Sequence, residues 1–277
     1  TFGLAPFFSI NLLLAGFSAF EVLSYRWGVA SIVLIVFGWL SGCNFRLAGK
    51  DWGVVFLLSL LRAVTSFSLI IAYQNIASGV ASTIHFMYPL AVALAMMFFF
   101  REKKSLLVIL AVLMSLLGAA LLSLGELEAK SGNTMVGLVA ACVSVFSYAG
   151  YIVGVRTTRA VQINSTALTC YVMGLGTIFY LIGAYCTSGL QLVSDGYTWL
   201  IILGLALPAT AISNITLVQA IKYAGPTLTS ILGAMEPLTA VVIGVFVFKE
   251  LFTVNSAVGI ILILLAVSIV VFRRQKS

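Results

Sequence analysis

The sequence predicts an all-α integral membrane protein with ten transmembrane helices, and three observations lead to this fold class. Of the 277 residues, 62% are apolar and only 8% are charged, whereas about a quarter of the residues in a soluble domain are charged. A water-soluble fold of this size cannot cover its core with so few charges. Finally, apolar blocks of about 20 residues, the length that spans a bilayer, follow one another with short polar breaks.

The predicted spans follow from these blocks. In chain order they cover residues 2–16, 19–41, 53–73, 79–100, 105–124, 136–155, 165–187, 197–221, 226–248 and 253–272. Residues 1–16 rise only about 24 Å as a helix, less than the ~30 Å of a hydrocarbon core. We therefore expect the first helix to be truncated in this chain. All four tryptophans, Trp27, Trp39, Trp52 and Trp199, are predicted near span ends, where indole favours the headgroup interface.

The distribution of basic residues predicts the orientation. Two of the 15 Lys and Arg residues, Lys130 and Lys249, fall on one side of the membrane, and eleven fall on the other. Cytoplasmic loops carry the basic excess. We therefore expect a multi-pass protein of the plasma (inner) membrane, with the basic tail 273–277 in the cytoplasm. The net charge of +7 is scattered singly, not clustered on a hydrophilic face, so no nucleic-acid partner is expected. The eleven are Arg46, Lys50, Arg101, Lys103, Lys104, Arg156, Arg159, Lys222, Arg273, Arg274 and Lys276.

An internal repeat divides the chain into two halves. A shift of 148 residues aligns residues 78–102 with 226–250 without a gap, and seven of the 25 positions are identical, among them Pro89/Pro237 and Glu102/Glu250. The halves cover residues 1–124 and 136–272, with five predicted helices each. An odd number of helices inverts the second half relative to the first. Inverted repeats are a recurring plan of secondary transporters, which bind substrate near the midplane.

Several stretches carry a family resemblance: YQNIASGVASTIHFMYPL followed by FFFREKK in the first half, QAIKYAGPTLTSILGAMEPL followed by FVFKE in the second, and SYRWG in the second span. With the two-times-five layout and short loops, the chain resembles the EamA family of the drug/metabolite transporter superfamily. The resemblance implies a ten-helix carrier whose central cavity is lined mainly by spans 1, 3, 4, 6, 8 and 9. It also implies export of amino acids or related metabolites.

Arg62 lies near the middle of a predicted span, about nine residues or roughly 14 Å into the third. An arginine at the bilayer centre costs about 2.5–3.5 kcal/mol on insertion scales, so it should face protein or water. In one hypothesis it binds an anionic group of the substrate, because the guanidinium fork fits a carboxylate or phosphate. The alternative is a structural ion pair or a clamp on helix carbonyls.

Glu236 is the one acidic residue predicted near a midplane, ten residues into the ninth span and directly before Pro237. Proline removes a backbone donor, so the turn before it is expected to loosen and expose polar backbone. Four roles stay open for the carboxyl: a partner for Arg62, a contact for a substrate ammonium group, a carrier of a coupling proton, or a purely structural group.

Four further candidates are aromatic. His85 and Tyr88 share one face of the fourth span, and Tyr88 is the repeat counterpart of Glu236. Tyr148 and Tyr151 have the same spacing on the sixth span and can form aromatic walls with hydroxyl handles. The structural alternatives are an interhelical hydrogen bond for His85 and simple packing for the tyrosines. Because His85 is the only histidine, a multi-histidine metal site is excluded.

Asn214 is the candidate on the eighth span. Under the shift of 148, Asn214 falls opposite Ser66 and Thr210 falls opposite Arg62. A buried amide needs hydrogen-bond partners and can bind either end of a polar solute. The alternative is a hydrogen bond that joins two helices.

Other polar or small residues are interpreted as structural. Glu21 and Arg26 lie five residues apart near the predicted outer end of the second span, as an entrance pair or a surface pair. Gly150 and Gly154 fit a GxxxG face, which indicates close approach of another helix.

The sequence favours a secondary carrier over an enzyme. Intramembrane hydrolysis would need a carboxylate dyad, a Ser/His pair or an HExxH metal site, and only one acid and one histidine are predicted at depth. We expect an exporter of small polar or zwitterionic metabolites, with no cofactor or metal. The alternative is a proton-coupled efflux carrier for hydrophobic or cationic compounds. The predicted substrate-binding residues are Arg62, Glu236, Tyr88, His85, Tyr148, Tyr151 and Asn214.

Overall fold

The computed structural model describes residues 5–76, 78–101, 106–123, 132–187, 189–233, 236 and 254–275, and every regular element in these ranges is helical. In chain order the helices are α1 (Ala5–Leu14), α2 (Ala19–Leu40), α3 (Trp52–Asn75), α4 (Ser78–His85), α5 (Tyr88–Phe99), α6 (Leu106–Ser123), α7 (Thr134–Thr157), α8 (Ser165–Thr187), α9 (Gly196–Ala206), α10 (Ser213–Ala224), α11 (Pro226–Leu232) and α12 (Val254–Gln275).

The described helices lie close to the predicted spans. Six helical stretches are long and apolar enough to cross a membrane: 19–40, 49–75, 80–99, 134–157, 165–187 and 196–224. Shorter apolar helices cover 106–118 and 257–269. The predicted ninth span is described only at 226–233 and 236, and Pro237, Lys130 and Lys249 lie outside the described residues. So do residues 1–4, on which the expected truncation of the first helix partly depends.

Side-chain caps set the start of several helices. Ser18 and Glu21 form a capping box at the start of α2: the Ser18 backbone N–H donates to Glu21 Oε2 at 2.8 Å, and the Glu21 backbone N–H donates to Ser18 Oγ at 3.3 Å. The other carboxylate oxygen of Glu21 accepts the backbone N–H of Gln191 at 2.6 Å. Glu21 therefore holds the start of α2 against the loop after α8, and the predicted pairing of Glu21 with Arg26 is not formed.

Glycines permit the closest helix contacts. Helices α3 and α7 pack along much of their length, and a Cβ atom at Gly154 would lie 2.8 Å from Leu58 Cδ2. The sequence-based interpretation of Gly150 and Gly154 as a packing face agrees with this contact. Helices α2 and α8 meet in the same way, where Trp27 covers Gly176.

Trp27, which is predicted near a span end, is covered by a neighbouring helix, unlike the other three tryptophans. Its indole is 1% exposed and packs edge-on against the Tyr180 ring, with the ring centroids 5.1 Å apart. Trp39, Trp52 and Trp199 are exposed. The position within a span did not reveal that the face of α2 bearing Trp27 is covered by α8.

The fourth span is broken in its middle. Helix α4 ends at His85 and α5 begins at Tyr88. Pro89 has no N–H, so the His85 carbonyl loses its helical donor. The chain passes the break through tighter bonds, such as Leu90 N–H to Met87 O at 3.0 Å. The ninth span has a similar bond before Pro237, from Glu236 N–H to Gly233 O at 2.8 Å.

The eighth span widens between α9 and α10 into a π-helical turn, Leu207–Ile212. Pro208 removes a backbone donor here as well. The hydroxyls of Thr210 and Ser213 donate to carbonyls five residues earlier, Leu205 O at 2.8 Å and Pro208 O at 2.7 Å. The widened turn directs Thr210 and Asn214, which are fully buried, toward α2 and α3.

Candidate functional site

Arg62 lies at the centre of a buried polar cluster. It stands ten residues beyond the start of α3, about 15 Å along the helix axis, and is 6% exposed. Its Nε donates to Asn214 Oδ1 at 3.2 Å, and its Nη1 donates to Ser66 Oγ at 3.3 Å. Asn214 in turn donates through Nδ2 to Thr210 O at 2.7 Å. The hydrogen-bonding groups on Asn214 and Ser66 are neutral, and they hold the guanidinium in place.

Two tyrosines of α7 present their rings to this charge. The Arg62 Cζ atom lies 4.9 Å from the Tyr148 ring centroid and 5.9 Å from the Tyr151 centroid. The two rings are nearly parallel, with centroids 6.4 Å apart. A desolvated cation over an aromatic face gains about 2 kcal/mol. The aromatic wall expected from the tyrosine spacing therefore lies against the Arg62 guanidinium.

His85 and Tyr88 join the same cluster from the two sides of the break in the fourth span. The His85 ring stacks on Tyr148 at 5.4 Å, and Tyr88 meets Tyr148 edge-on at 4.6 Å. His85 Nδ1 lies 2.9 Å from Ser144 Oγ, whose hydroxyl donates to Ala141 O. Since a serine hydroxyl has one hydrogen, His85 Nδ1 is the donor in this pair, and the neutral ring keeps Nε2 as an acceptor.

Glu236 follows the end of α11 and is half-buried. Its carboxyl lies within electrostatic range of the Arg62 guanidinium and of the Tyr88 and Tyr148 hydroxyls. Tyr88 reaches the same helix end, where its hydroxyl occupies the space that a Cβ atom at Gly233 would need, 1.8 Å from that position. The structure thus brings all seven predicted site residues into one cluster, drawn from the third, fourth, sixth, eighth and ninth predicted spans.

Arg26 is the residue that the sequence interpretation missed. It is 8% exposed, and its Nε donates to Thr210 Oγ1 at 2.7 Å. Arg26 and Arg62 lie within electrostatic range of each other. The sequence did contain a signal, because Arg26 lies seven residues beyond the start of α2, which corresponds to a depth of about 10 Å along the helix. The nearby Glu21 suggested an entrance pair or a surface pair instead.

The cluster suits binding better than covalent chemistry. It offers cationic forks for anions, a carboxyl for a cation, flat aromatic surfaces for apolar parts, and hydroxyls and an amide for orientation. Among the described residues, no three His, Cys, Asp or Glu side chains lie close enough to hold a metal ion.

A separate apolar groove of about 620 Å³ lies on the outside of the bundle between α3 and α7. Leu61, Val139, Cys142, Val143 and Phe146 line it. Phe146 is 72% exposed, and the buried Ser147 also lines the groove. The lining is otherwise apolar, which distinguishes the groove from the polar cluster.

Comparison with known proteins agrees with this architecture. The EamA-like transporter family matches residues 1–124 and 135–272. An uncharacterized transporter of Archaeoglobus fulgidus is 28% identical over 238 residues, which cover 85% of this chain and 83% of that protein. A solved crystal structure that is 17% identical superposes with a TM-score of 0.78 over 95% of this chain and 92% of its own, and so shares the fold. Because the family match covers nearly all of the sequence, the chain belongs to the EamA-like transporter family, whose members are membrane transporters.

Proposed function

We propose that this transporter is a secondary carrier that exports small zwitterionic metabolites, α-amino acids in the first place, by alternating access. The observation that carries the proposal is the buried Arg62 guanidinium, fixed by Asn214 and Ser66 and covered by the Tyr148 ring. An arginine at this depth costs about 2.5–3.5 kcal/mol to insert, and its guanidinium fits an anionic group of a substrate better than a neutral or cationic solute.

The cluster suggests how an amino acid would lie. Its carboxylate would bind the Arg62 fork, and its ammonium group would bind the Glu236 carboxyl, which lies within electrostatic range of Arg62. The side chain would then lie against the rings of Tyr148, Tyr88 and His85. Asn214 and the Tyr151 hydroxyl would supply neutral hydrogen bonds near the carboxylate end.

The helix pairing supports two inverted five-helix halves, 1–124 and 136–272. Helix α2 packs on α8 and α6 on α12, and each of these pairs joins counterparts under the shift of 148 residues. Helix α5 packs on α11, a contact between the fourth span and its counterpart, the ninth span. The contact of α3 with α7 has its counterpart in the contact of α1 with α9. Such pairing is what a pseudo-twofold axis in the membrane plane produces. Rocking of one half against the other would then expose the cluster alternately to the two sides.

The second candidate is a proton-coupled efflux carrier for hydrophobic or cationic compounds. The rings of His85, Tyr88 and Tyr148 favour it, because aromatic faces bind organic cations. Two buried arginines oppose it, since a cation entering the cluster meets their charge. In either case Glu236 is the residue that would carry a coupling proton, and the plasma (inner) membrane with a cytoplasmic C-terminus is the proposed location.

Counterflow of labelled amino acids in proteoliposomes tests the proposal. Arg62→Ala and Glu236→Gln are each expected to lower counterflow roughly 10- to 100-fold, because a hydrogen bond to a charged group contributes about 1.5–3 kcal/mol. Arg46→Ala, which removes an exposed loop arginine, is the matched control and should stay within about twofold of wild type. Unchanged counterflow in both site variants would refute the proposed site.

The same preparation tests the coupling role of Glu236. With the interior made acidic relative to the exterior, wild-type uptake should change, whereas Glu236→Gln uptake should not respond. Equal uptake by wild type with and without the pH gradient contradicts the proton role. Accumulation of a labelled hydrophobic cation, with no movement of any amino acid, favours the second candidate.

A further inference from the structure

Arg26 and Arg62 approach the eighth span as a pair. Arg26 on α2 donates to Thr210 Oγ1 at 2.7 Å, and Arg62 on α3 donates to Asn214 Oδ1 at 3.2 Å. Thr210 and Asn214 lie four residues apart and are joined by a hydrogen bond of 2.7 Å from Asn214 Nδ2 to Thr210 O. The points at which the two guanidinium groups are held are therefore about one helical turn, or about 5.4 Å, apart along this span.

The charge of Arg26 is not balanced by the described part of the chain. Its charged neighbour is another cation, Arg62, and its other close neighbours are the hydroxyls of Tyr73, Tyr148 and Tyr180. The nearest acid in sequence, Glu21, is bonded to Ser18 and Gln191 instead.

Arg26 also offers donors to a ligand. Arg26 is more than nine-tenths buried, and among the described residues its hydrogen bond to Thr210 is formed through Nε alone. Its two Nη groups are thus available to a ligand. In the same cluster the Tyr151 hydroxyl is fully buried and has no hydrogen-bond partner among the described residues. A buried unsatisfied polar group costs about 1–3 kcal/mol, which a bound ligand with an acceptor would recover.

We propose that Arg26 and Arg62 form a site for two anionic groups, so that the transported substrate is dicarboxylic, and that an α-amino dicarboxylic acid fits best. This inference rests on the proposed function, because it specifies the substrate class of the same site. The α-carboxylate lies on Arg62, the second carboxylate lies on the Nη groups of Arg26, and the ammonium group lies toward Glu236. Two planar carboxylates match two planar forks held about a turn apart.

Binding to the purified full-length protein in detergent is the first test. Glutarate and butyrate are compared, since they differ in the second carboxylate. We expect glutarate to bind wild type at least tenfold more tightly than butyrate, and Arg26→Gln to abolish that difference. Arg46→Gln, in an exposed loop, should keep it. Equal affinities in wild type overturn the inference, and so does tight binding of inorganic phosphate without binding of glutarate.

Two further variants guard against misfolding of Arg26→Gln. Arg26→Lys keeps the charge without the fork, and we expect an intermediate preference for glutarate. Thr210→Val keeps both arginines but removes the hydroxyl that accepts from Arg26 Nε. It should lower glutarate affinity more than butyrate affinity. A parallel loss for both ligands in Thr210→Val contradicts a specific role of Arg26 in the second site.

Transport separates this inference from the proposed function. Wild-type proteoliposomes should exchange labelled glutamate faster than labelled glutamine, and Arg26→Gln should reduce glutamate exchange at least tenfold more than it reduces glutamine exchange. If both amino acids exchange equally in wild type and in Arg26→Gln, the dicarboxylate inference fails and the carrier function stands. If glutarate binds through Arg26 but no amino acid exchanges, the amino-acid proposal fails and the two-anion site stands.

Discussion

Two buried tyrosine hydroxyls in this protein have opposite environments. The Tyr180 hydroxyl donates to Ala63 O at 2.8 Å and so links α8 to α3. The Tyr151 hydroxyl, equally inaccessible, has no hydrogen-bond partner in the part of the chain that the structure describes. Tyr151 also lies beside Arg62, at the predicted binding position. An unsatisfied buried hydroxyl lowers stability, and a hydrogen-bonded one raises it. Removal of each hydroxyl therefore distinguishes a ligand contact at Tyr151 from a structural contact at Tyr180.

Tyr151→Phe is expected to raise the stability of the ligand-free protein by about 1 kcal/mol and to weaken substrate binding, since it removes an unsatisfied hydroxyl that a ligand would use. Tyr180→Phe, the matched control, should lower stability by about 1 kcal/mol. Thermal unfolding in detergent and a binding titration measure the two effects. A loss of stability in Tyr151→Phe equal to that in Tyr180→Phe would show that Tyr151 has a structural partner.

At the scale of the helices, glycines decide where partners meet and prolines decide where spans break. Trp27 lies so close to Gly176 that a Cβ atom there would be 2.1 Å from the indole Cζ3. Pro89 and Pro208 interrupt the fourth and eighth spans at the turns that present Tyr88 and Thr210. The candidate site thus lies where backbone hydrogen bonds are interrupted. Helices interrupted in this way can supply polar groups at membrane depth.

Gly176→Ala is expected to destabilise the protein by about 1–3 kcal/mol, because the added methyl group forces the rigid, buried Trp27 ring to move. Gly174→Ala is the control on the same helix. A Cβ atom at Gly174 meets nothing within 4 Å, and alanine favours a helix by up to about 1 kcal/mol over glycine. The unfolding midpoints of the two variants should move in opposite directions. A shared direction would contradict the tight contact of α2 with α8.

At the scale of the whole molecule, the basic residues and the natural cysteines make the orientation testable. Cys43 lies in the loop between α2 and α3, which carries Arg46 and Lys50 and is predicted to be cytoplasmic. Cys186 lies in the last turn of α8, at the opposite predicted side, and is exposed. One native thiol is therefore predicted on each side of the bilayer.

Single-cysteine variants provide the measurement. With the other three cysteines replaced by alanine, the protein that keeps Cys186 should react with a membrane-impermeant maleimide in intact cells. The protein that keeps Cys43 should react only after the membrane is permeabilised. A fully cysteine-free chain sets the background. The reverse pattern of labelling would invert the predicted topology and place the basic loops outside.

The sequence by itself determined that lipid surrounds this chain and where most helices begin and end. It also supplied the candidate site residues. These properties depend on local quantities: the length of an apolar run, the absence of charge, and the missing N–H of a proline. Arg62 was identified from the sequence because depth within a span follows directly from residue number. The family follows from sequence as well, since its match covers both halves.

Only the tertiary structure decided which faces of the helices meet. It showed that the Trp27 indole is buried against another helix, and that Arg26 forms a buried bond with Thr210 and not the entrance or surface pair with Glu21. The physical reason is that a helix that is apolar on all sides has no strong amphipathic pattern to mark its buried face. The sequence therefore shows how deep a residue lies in the membrane, but not which neighbouring helix its side chain faces. Direction is set by close packing between helices, and that packing places two arginines at one site.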